Sequence, residues 1–381
     1  MKTETIPFNK PHLTGKETTY IQDAVLSGKI SGNGKYTQKC HRFFEDRHGF
    51  KKCLLTTSCT DALEMAAILM DIQPEDEVIL PSFTFTSTAN AFVLRGAKLV
   101  FVDSSSENPN MDVQLIEALI THKTKGIVVV HYAGISCDMD VVMDIAERYN
   151  LLVIEDAAQS IESTFKGKPL GSIGHFGAFS FHETKNVISG EGGMLVVNDE
   201  RFIDRAEIIW EKGTNRAAFF RGEIEQYGWM DVGSSFLPSE VVSAFLFAQL
   251  EELSEIQSRR MKIWKRYWDE LSEVCLAQNI QIPVIPDFAS NNAHIFYLVL
   301  PNRDLRDRLI QTLGDNHILA VFHYQSLHKS DFFLKKGGTP RLLKNSDRYS
   351  DCLVRLPLYY DLQDEEQDRI LKCIKNIIET R

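Results

Sequence analysis

The stretch from Val153 to Asn198, VIEDAAQSIESTFKGKPLGSIGHFGAFSFHETKNVISGEGGMLVVN, constrains the fold more than any other part of the chain. The apolar run Leu151 to Ile154 stops abruptly at Glu155 and Asp156. Such a run is a buried strand that delivers carboxylates to its C-terminal end, where the ligands of open α/β sheets sit. A second apolar run, His175 to Phe181, leads into His182-Glu183-Thr184-Lys185. The cluster Gly190-Glu191-Gly192-Gly193 then turns the chain into a third strand, Met194 to Val197. One buried acid, Asp156, and one lysine, Lys185, thus fall on neighbouring strand ends, 29 positions apart. An amine that condenses with carbonyls, facing an acid that keeps a pyridine nitrogen protonated, is the pair that pyridoxal phosphate chemistry requires. Either residue alone reads as an ordinary solvated loop residue; the strand–acid–strand–lysine–glycine order is what points to a site.

The same alternation recurs upstream. Cys53 to Thr57 is a short strand running into Ser58-Cys59-Thr60-Asp61 and a helix to Asp71. Free N–H groups at that helix start, with the dipole and two hydroxyls, form an anion site; N-capping by Ser58 or Thr60 is the ordinary reading and is compatible with it. Asp61 would repel a phosphate, so its side chain is expected to cap the turn or face solvent. Strands at Glu77 to Pro81, Lys98 to Val102 and Gly126 to Val130 alternate with helices at Ala89 to Leu94, Asp112 to Thr121 and Asp140 to Tyr149. This spacing predicts a mainly parallel sheet with right-handed crossovers.

With 381 residues the chain exceeds what one core usually serves, so two domains are expected. Residues 1–261 form a helical N-terminal arm and a large α/β domain, bridged by a long helical stretch, Ser239 to Arg259. Residues 262–381 form a smaller α+β domain with strands at Ile295 to Leu300 and Val321 to Tyr324 and a terminal amphipathic helix. A net charge of −10 argues against nucleic-acid or anionic-membrane partners, so an anionic substrate needs a local basic patch. Lys212, Arg216 and Arg221, in and beside the loop Gly213 to Gly222, are that concentration of cations. No apolar run approaches the roughly 20 residues of a membrane span, and MKTETIPFNKP lacks a signal-peptide core. Seven cysteines without a C-x-x-C pair fit buried thiols in a reducing cytoplasm rather than disulfides or a metal site.

EDAAQS, FSFHETKN and GEGG, with TTSCTDALEMA and PSFTFTSTANAF upstream, resemble the DegT/DnrJ family of nucleotide-sugar aminotransferases. That resemblance implies the aspartate aminotransferase-like fold, type I of the pyridoxal phosphate enzymes. KGTNRAAFFRG and DVGSSFLPSE look closest to the branch of dTDP-4-amino-4,6-dideoxygalactose transaminases. By this resemblance Lys185 carries the cofactor and shuttles the proton, and Asp156 faces the pyridine nitrogen. Gln159 partners the cofactor's 3′-hydroxyl, Phe85 stacks on its ring while Phe83 is core, and Ser180 joins Ser58, Cys59 and Thr60 at the phosphate. His323 and His328 fall in a substrate-side HY…LH pattern, and Lys212, Asn215, Arg216 and Arg221 are candidates for the substrate diphosphate. His182 orients Glu183 or the phosphate shell, or is structural. Where the family carries an asparagine that reaches across a homodimer to the phosphate, this chain has Ser235, and the family's arginine is Leu237. Asn215 or Arg216 could take over that contact.

The resemblance implies a sugar nucleotide and L-glutamate as substrates: dTDP-4-dehydro-6-deoxy-D-glucose aminated at C4 to the galactose epimer, for surface-polysaccharide precursors. The glucose epimer, amination at C3, or a lyase on the same scaffold are the alternatives. Retention of Lys185 argues against the related sugar dehydratases, which carry histidine there.

Overall fold

The computed structural model describes residues 4–339 and 341–379. The short apolar runs become β1 (Cys53–Thr56), β2 (Glu77–Pro81), β3 (Lys98–Val102), β4 (Thr124–Val130) and β5 (Leu152–Asp156). After a hairpin of β6 (Thr164–Phe165) and β7 (Lys168–Pro169) come β8 (Phe176–Ser180) and β9 (Gly193–Val197). All except the hairpin form one seven-stranded sheet in the order β1-β9-β8-β5-β4-β2-β3. Only β9 runs against the other strands, so the sheet is mainly parallel, as the alternation predicts.

Strand periodicity sorts the sheet's side chains to two covered faces. Val78, Leu80, Val128 and Ile154 pack with Ala62, Leu63 and Met65 of helix Cys59–Leu69. Ile79, Val129 and Val153 pack with Val142 and Ile145 of helix Met139–Tyr149. Strands buried on both faces read as continuous apolar runs, which is why these were conspicuous in the sequence.

A second core lies behind a three-stranded antiparallel sheet, β10 (Phe296–Val299), β11 (Val321–Phe322) and β12 (Leu353–Leu356), in the order β10-β12-β11. Tyr267 and Leu271, Leu309 and Leu313, and Ile370 and Ile374 bring three helices onto it. Helix Leu253–Ala277 serves both cores: Leu253 and Ile256 pack with Phe44 and Phe181, whereas Ile263 to Cys275 pack in the smaller one. Ile6, near the head of the chain, also joins the smaller core and bridges to Ile318.

Two expected helices differ. The segment 112–121 forms two 3-10 turns, Val113–Leu115 and Glu117–Leu119. Its fully buried apolar residues, Val113 and Ile116, are three apart, the repeat of the tighter helix. The long stretch from Ser239 breaks at Glu252 into helices Glu240–Glu251 and Leu253–Ala277. No helix among the described residues is long and apolar enough to cross a membrane.

Candidate active site

Glu155 and Asp156 are consecutive in β5, so their side chains leave on opposite faces. Glu155 is fully buried and accepts the N–H groups of Gly171 at 2.8 Å, Ile173 at 2.7 Å and Gly174 at 2.6 Å, with His131 Nε2 at 3.0 Å. Its lone pairs are consumed in holding the loop before β8. Asp156 is buried too, but takes only the Thr88 hydroxyl at 2.7 Å and the Ala158 N–H at 3.2 Å. Burial pushes its carboxyl above the usual range, with Thr88, Ala158 and Lys185 pulling the other way.

Lys185 follows β8 in a tight turn whose N–H donates to the His182 carbonyl at 2.9 Å. Its amine makes no hydrogen bond or ion pair among the described residues. Burial lowers its pKa below the ordinary lysine value, while Cys59 and Asp156 oppose the shift and Arg355 adds to it. An amine whose protonated form is disfavoured is the more readily a nucleophile and a base.

Both groups line one cavity of about 540 Å³ at the C-terminal ends of the strands. Ser58 caps helix Cys59–Leu69, its hydroxyl accepting the Asp61 N–H at 3.1 Å, so the N–H groups of Cys59 and Thr60 are left at the wall. Asp61 turns away to the Thr57 hydroxyl, as its charge beside an anion site demands. Glycine is required opposite: a Cβ on Gly193 would stand 2.3 Å from the Cys59 nitrogen, so only glycine lets β9 pass this turn. Ser180 adds a hydroxyl to the same cavity. Phe83 is core at 1% exposure, whereas Phe85 is 57% exposed and presents its ring to the cavity. The Gln159 side-chain oxygen accepts the Ala133 N–H at 2.7 Å and its amide donates to the Tyr324 hydroxyl at 3.0 Å. His323 completes the group, its Nδ1 2.6 Å from the Tyr132 hydroxyl.

The donor set fits pyridoxal phosphate: a carboxylate for a pyridinium, an unpartnered amine for its aldehyde, a free aromatic face, and N–H and hydroxyl groups for its phosphate.

Residues 11–375 match the model of the DegT/DnrJ/EryC1/StrS aminotransferase family. The chain belongs to that family. A spore coat polysaccharide biosynthesis protein of Bacillus subtilis (strain 168) is 30% identical, with 98% of this chain and 97% of that one covered. A UDP-4-amino-4-deoxy-L-arabinose–oxoglutarate aminotransferase of Shewanella sediminis is 31% identical, with 99% of each covered. A Streptococcus pneumoniae protein assigned as a sugar aminotransferase, solved in its PLP form, superposes with a TM-score of 0.89 at 26% identity, covering 99% of each chain. This DegT-family chain is an aminotransferase of fold type I, and pyridoxal phosphate is its cofactor.

Six site candidates stand elsewhere in the DegT-family chain. His328 is buried behind the cavity: its Nδ1 meets the Ser82 hydroxyl at 2.7 Å and its Nε2 lies 3.6 Å from Asp347. The turn Leu327–Lys329, held by Leu327 N–H to the Ser82 carbonyl, rotates it away from His323. Lys212, Asn215, Arg216, Arg221 and Ser235 lie on a segment outside this cavity. Arg221 pairs with Glu207 at 2.9 Å and Glu223 at 2.7 Å, Arg216 lies 3.6 Å from Glu211, and Asn215 accepts the Gly228 N–H at 2.8 Å. Lys212 and Ser235 are exposed, Ser235 bridging to Glu211 through the backbone.

Sequence reasoning missed Thr88, Tyr324, His294, Arg355 and the Phe8-Asn9 pair, all at the cavity wall. The Asn9 amide donates to the Glu183 carbonyl at 3.1 Å, seating the N-terminal segment on the lysine turn. Thr88 and Tyr324 lie inside PSFTFTSTANAF and the HY…LH pattern, whereas nothing local in the sequence marks His294, Arg355 or Phe8-Asn9, each of which arrives from a different element.

Proposed function

We propose that this enzyme aminates C4 of a nucleotide-activated 4-keto-6-deoxy sugar, dTDP-4-dehydro-6-deoxy-D-glucose, to the galactose epimer, with L-glutamate as donor. The observation that carries the reading is the partly buried, unpartnered Lys185 amine opening on the same cavity as the buried Asp156. The names of the relatives support the substrates: one serves polysaccharide biosynthesis, another handles a 4-amino sugar nucleotide with oxoglutarate, the keto acid of glutamate.

Pyridoxal phosphate, when bound, supplies an electron sink for the carbon that loses or gains nitrogen. Asp156 would favour a positive charge on its ring nitrogen. Lys185 carries the proton between the donor's α-carbon and the cofactor carbon that receives the nitrogen. The amides of Cys59 and Thr60, with Ser58 and Ser180, would hold the phosphate; Phe85 would cover the ring and Gln159 would partner the 3′-hydroxyl.

The working unit is a homodimer. Phe220, Tyr227, Trp229 and Met230 are 71%, 54%, 86% and 59% exposed on one segment, an apolar patch that a second copy would cover. Docked so, the segment brings Arg216, Arg221, Lys212, Asn215 and Ser235 to the partner's cavity, where the Arg216 fork suits a diphosphate. The location is the cytoplasm, with six of the seven cysteines buried as free thiols. The test is NMR analysis of products from dTDP- and UDP-linked 3-keto and 4-keto sugars incubated with glutamate. A 4-amino galactose-configured dTDP product with matching 2-oxoglutarate is expected. Amination at C3, or keto-acid release without an amino sugar, would overturn the reading.

A further inference from the structure

Two helices begin at the cavity wall. Thr60 stands in the first turn of helix Cys59–Leu69. Ser87 stands in the first turn of helix Thr86–Val93, two residues after the exposed Phe85 ring. Both line the cavity, and the Thr60 hydroxyl donates to the Ser87 hydroxyl oxygen at 2.7 Å. One hydrogen bond thus joins the N-terminal ends of the two helices. Free N–H groups and the positive ends of both dipoles favour an anion there.

The direction of that bond decides which hydroxyl can serve the anion, because a hydroxyl has a single proton to give. Thr60 spends its proton on Ser87, so its own oxygen is left an acceptor, which a phosphate oxygen repels. Ser87 accepts and keeps its proton; among the described residues its hydroxyl donates to no other group. Accepting one hydrogen bond also makes it the stronger donor, since bonds in a chain polarise one another. Ser235, which stands where the family carries its phosphate-reaching asparagine, is exposed and outside this cavity. A donor within the lining therefore takes on weight. We propose that Ser87 holds the cofactor's phosphate, donating its hydroxyl proton to it while Thr60 fixes the orientation of that hydroxyl. The side chain of Thr60 is then a positioning group, acting through Ser87, although its N–H remains at the anion site. The inference rests on the reading that sets the phosphate at the start of helix Cys59–Leu69, and it adds the second helix to that site.

The test frees the full-length enzyme of cofactor and titrates it with pyridoxal phosphate or with pyridoxal, which lacks the phosphate, following absorbance. Ser87→Ala should raise the dissociation constant for pyridoxal phosphate by about 10-fold and that for pyridoxal by no more than about twofold. Ser87→Thr, which keeps the hydroxyl, should stay within about threefold of the wild type for both ligands. Thr60→Val, which loses only the positioning bond, should weaken pyridoxal phosphate by about threefold, less than Ser87→Ala does. Ser180→Ala reports on the phosphate site independently and should weaken pyridoxal phosphate alone. An unchanged constant in Ser87→Ala beside a loss in Ser180→Ala overturns this inference alone, as does a larger loss in Thr60→Val than in Ser87→Ala. Equal losses for the two ligands in Ser87→Ala would mark a structural hydroxyl and overturn it as well. No phosphate-selective loss in any of these variants overturns the placement of the phosphate and the inference with it.

Discussion

Lys185 and Arg355 line the cavity without counter-ions, whereas Arg221, on the segment after helix Ile203–Trp210, is exposed and matched to two acids. Two basic regions of one acidic chain are thus built on opposite terms. An exposed, paired charge costs little and stabilises little, so it persists for many reasons. A desolvated, unpaired charge is expensive and persists only where a ligand completes it. The cavity can therefore be read as chemistry from its own lining. The segment's own signal is its uncovered aromatic surface.

The sharpest break of that comparison is Lys185→Ala. If the unpaired amine is the working group, turnover should fall by about 10⁴-fold or more while the fold and cofactor binding persist. Borohydride should attach the cofactor to Lys185 in the wild type, and peptide mapping checks it. A label on another lysine would detach the cavity from the reaction.

The neighbours in β5 extend the contrast to two carboxylates. Asp156→Asn keeps the hydrogen bonds from Thr88 and Ala158 possible but removes the charge, so turnover should drop by about 10²- to 10³-fold with stability held. Glu155→Gln cannot satisfy three N–H donors and His131 at once, so it should cost about 2–3 kcal/mol in urea denaturation, with activity per folded molecule retained. The reverse pattern would mean that the strand presents the wrong acid to the cofactor.

Much of this was legible in the sequence because buried parallel strands are continuous apolar runs whose ends carry the chemistry. Asp156, Lys185, Ser58 and Ser180 each sit at a strand end or the turn after it, and local pattern suffices to find them. His328 was misplaced because its orientation depends on a three-residue turn that apolar pattern does not encode. Arg355 was missed for a different reason. Arg355 is the outward residue of VRLPL, indistinguishable in sequence from a solvated strand arginine until the fold brings its strand to the cavity. The segment 212–235 could be read only as a basic loop, since on the proposed reading a second copy would complete it.

Buried ionisable groups need not be functional, and His41 sharpens where the line falls. Its Nε2 accepts the Leu55 N–H at 2.9 Å, and burial, helped by Lys52, pushes its pKa down to about 3. It solves desolvation by staying neutral, so no ligand is required. The unfolded imidazole takes a proton below 6.5 and the folded one refuses it down to about 3. Stability from this group is therefore complete above pH 6.5 and falls by about 1.4 kcal/mol per pH unit below it. His41→Gln keeps an acceptor but cannot titrate. Its urea midpoint should decline less steeply than the wild type's between pH 6.5 and 4.5, and equal slopes would assign the acid sensitivity elsewhere.

The smallest expected effect tests the exposed side of the comparison from within. Arg221 has both its acids at hydrogen-bonding distance, so recruiting it to a diphosphate means giving up contacts of similar strength. Arg216 is less committed: Glu211 is 3.6 Å away, its Nε is buried without a hydrogen-bond partner, and its guanidinium carbon rests 5.3 Å from the Phe220 ring centre. Only the less committed arginine gains by meeting a phosphate. Arg216→Ala should raise half-saturation by the sugar nucleotide about fivefold and leave that for glutamate unchanged, while Arg221→Ala should move neither by more than about twofold. Steady-state kinetics with each substrate varied in turn decides it. Equal effects of Arg216→Ala on both substrates would make it a scaffold residue, and a larger effect of Arg221→Ala would show that pairing within the protomer does not predict which cations a ligand recruits.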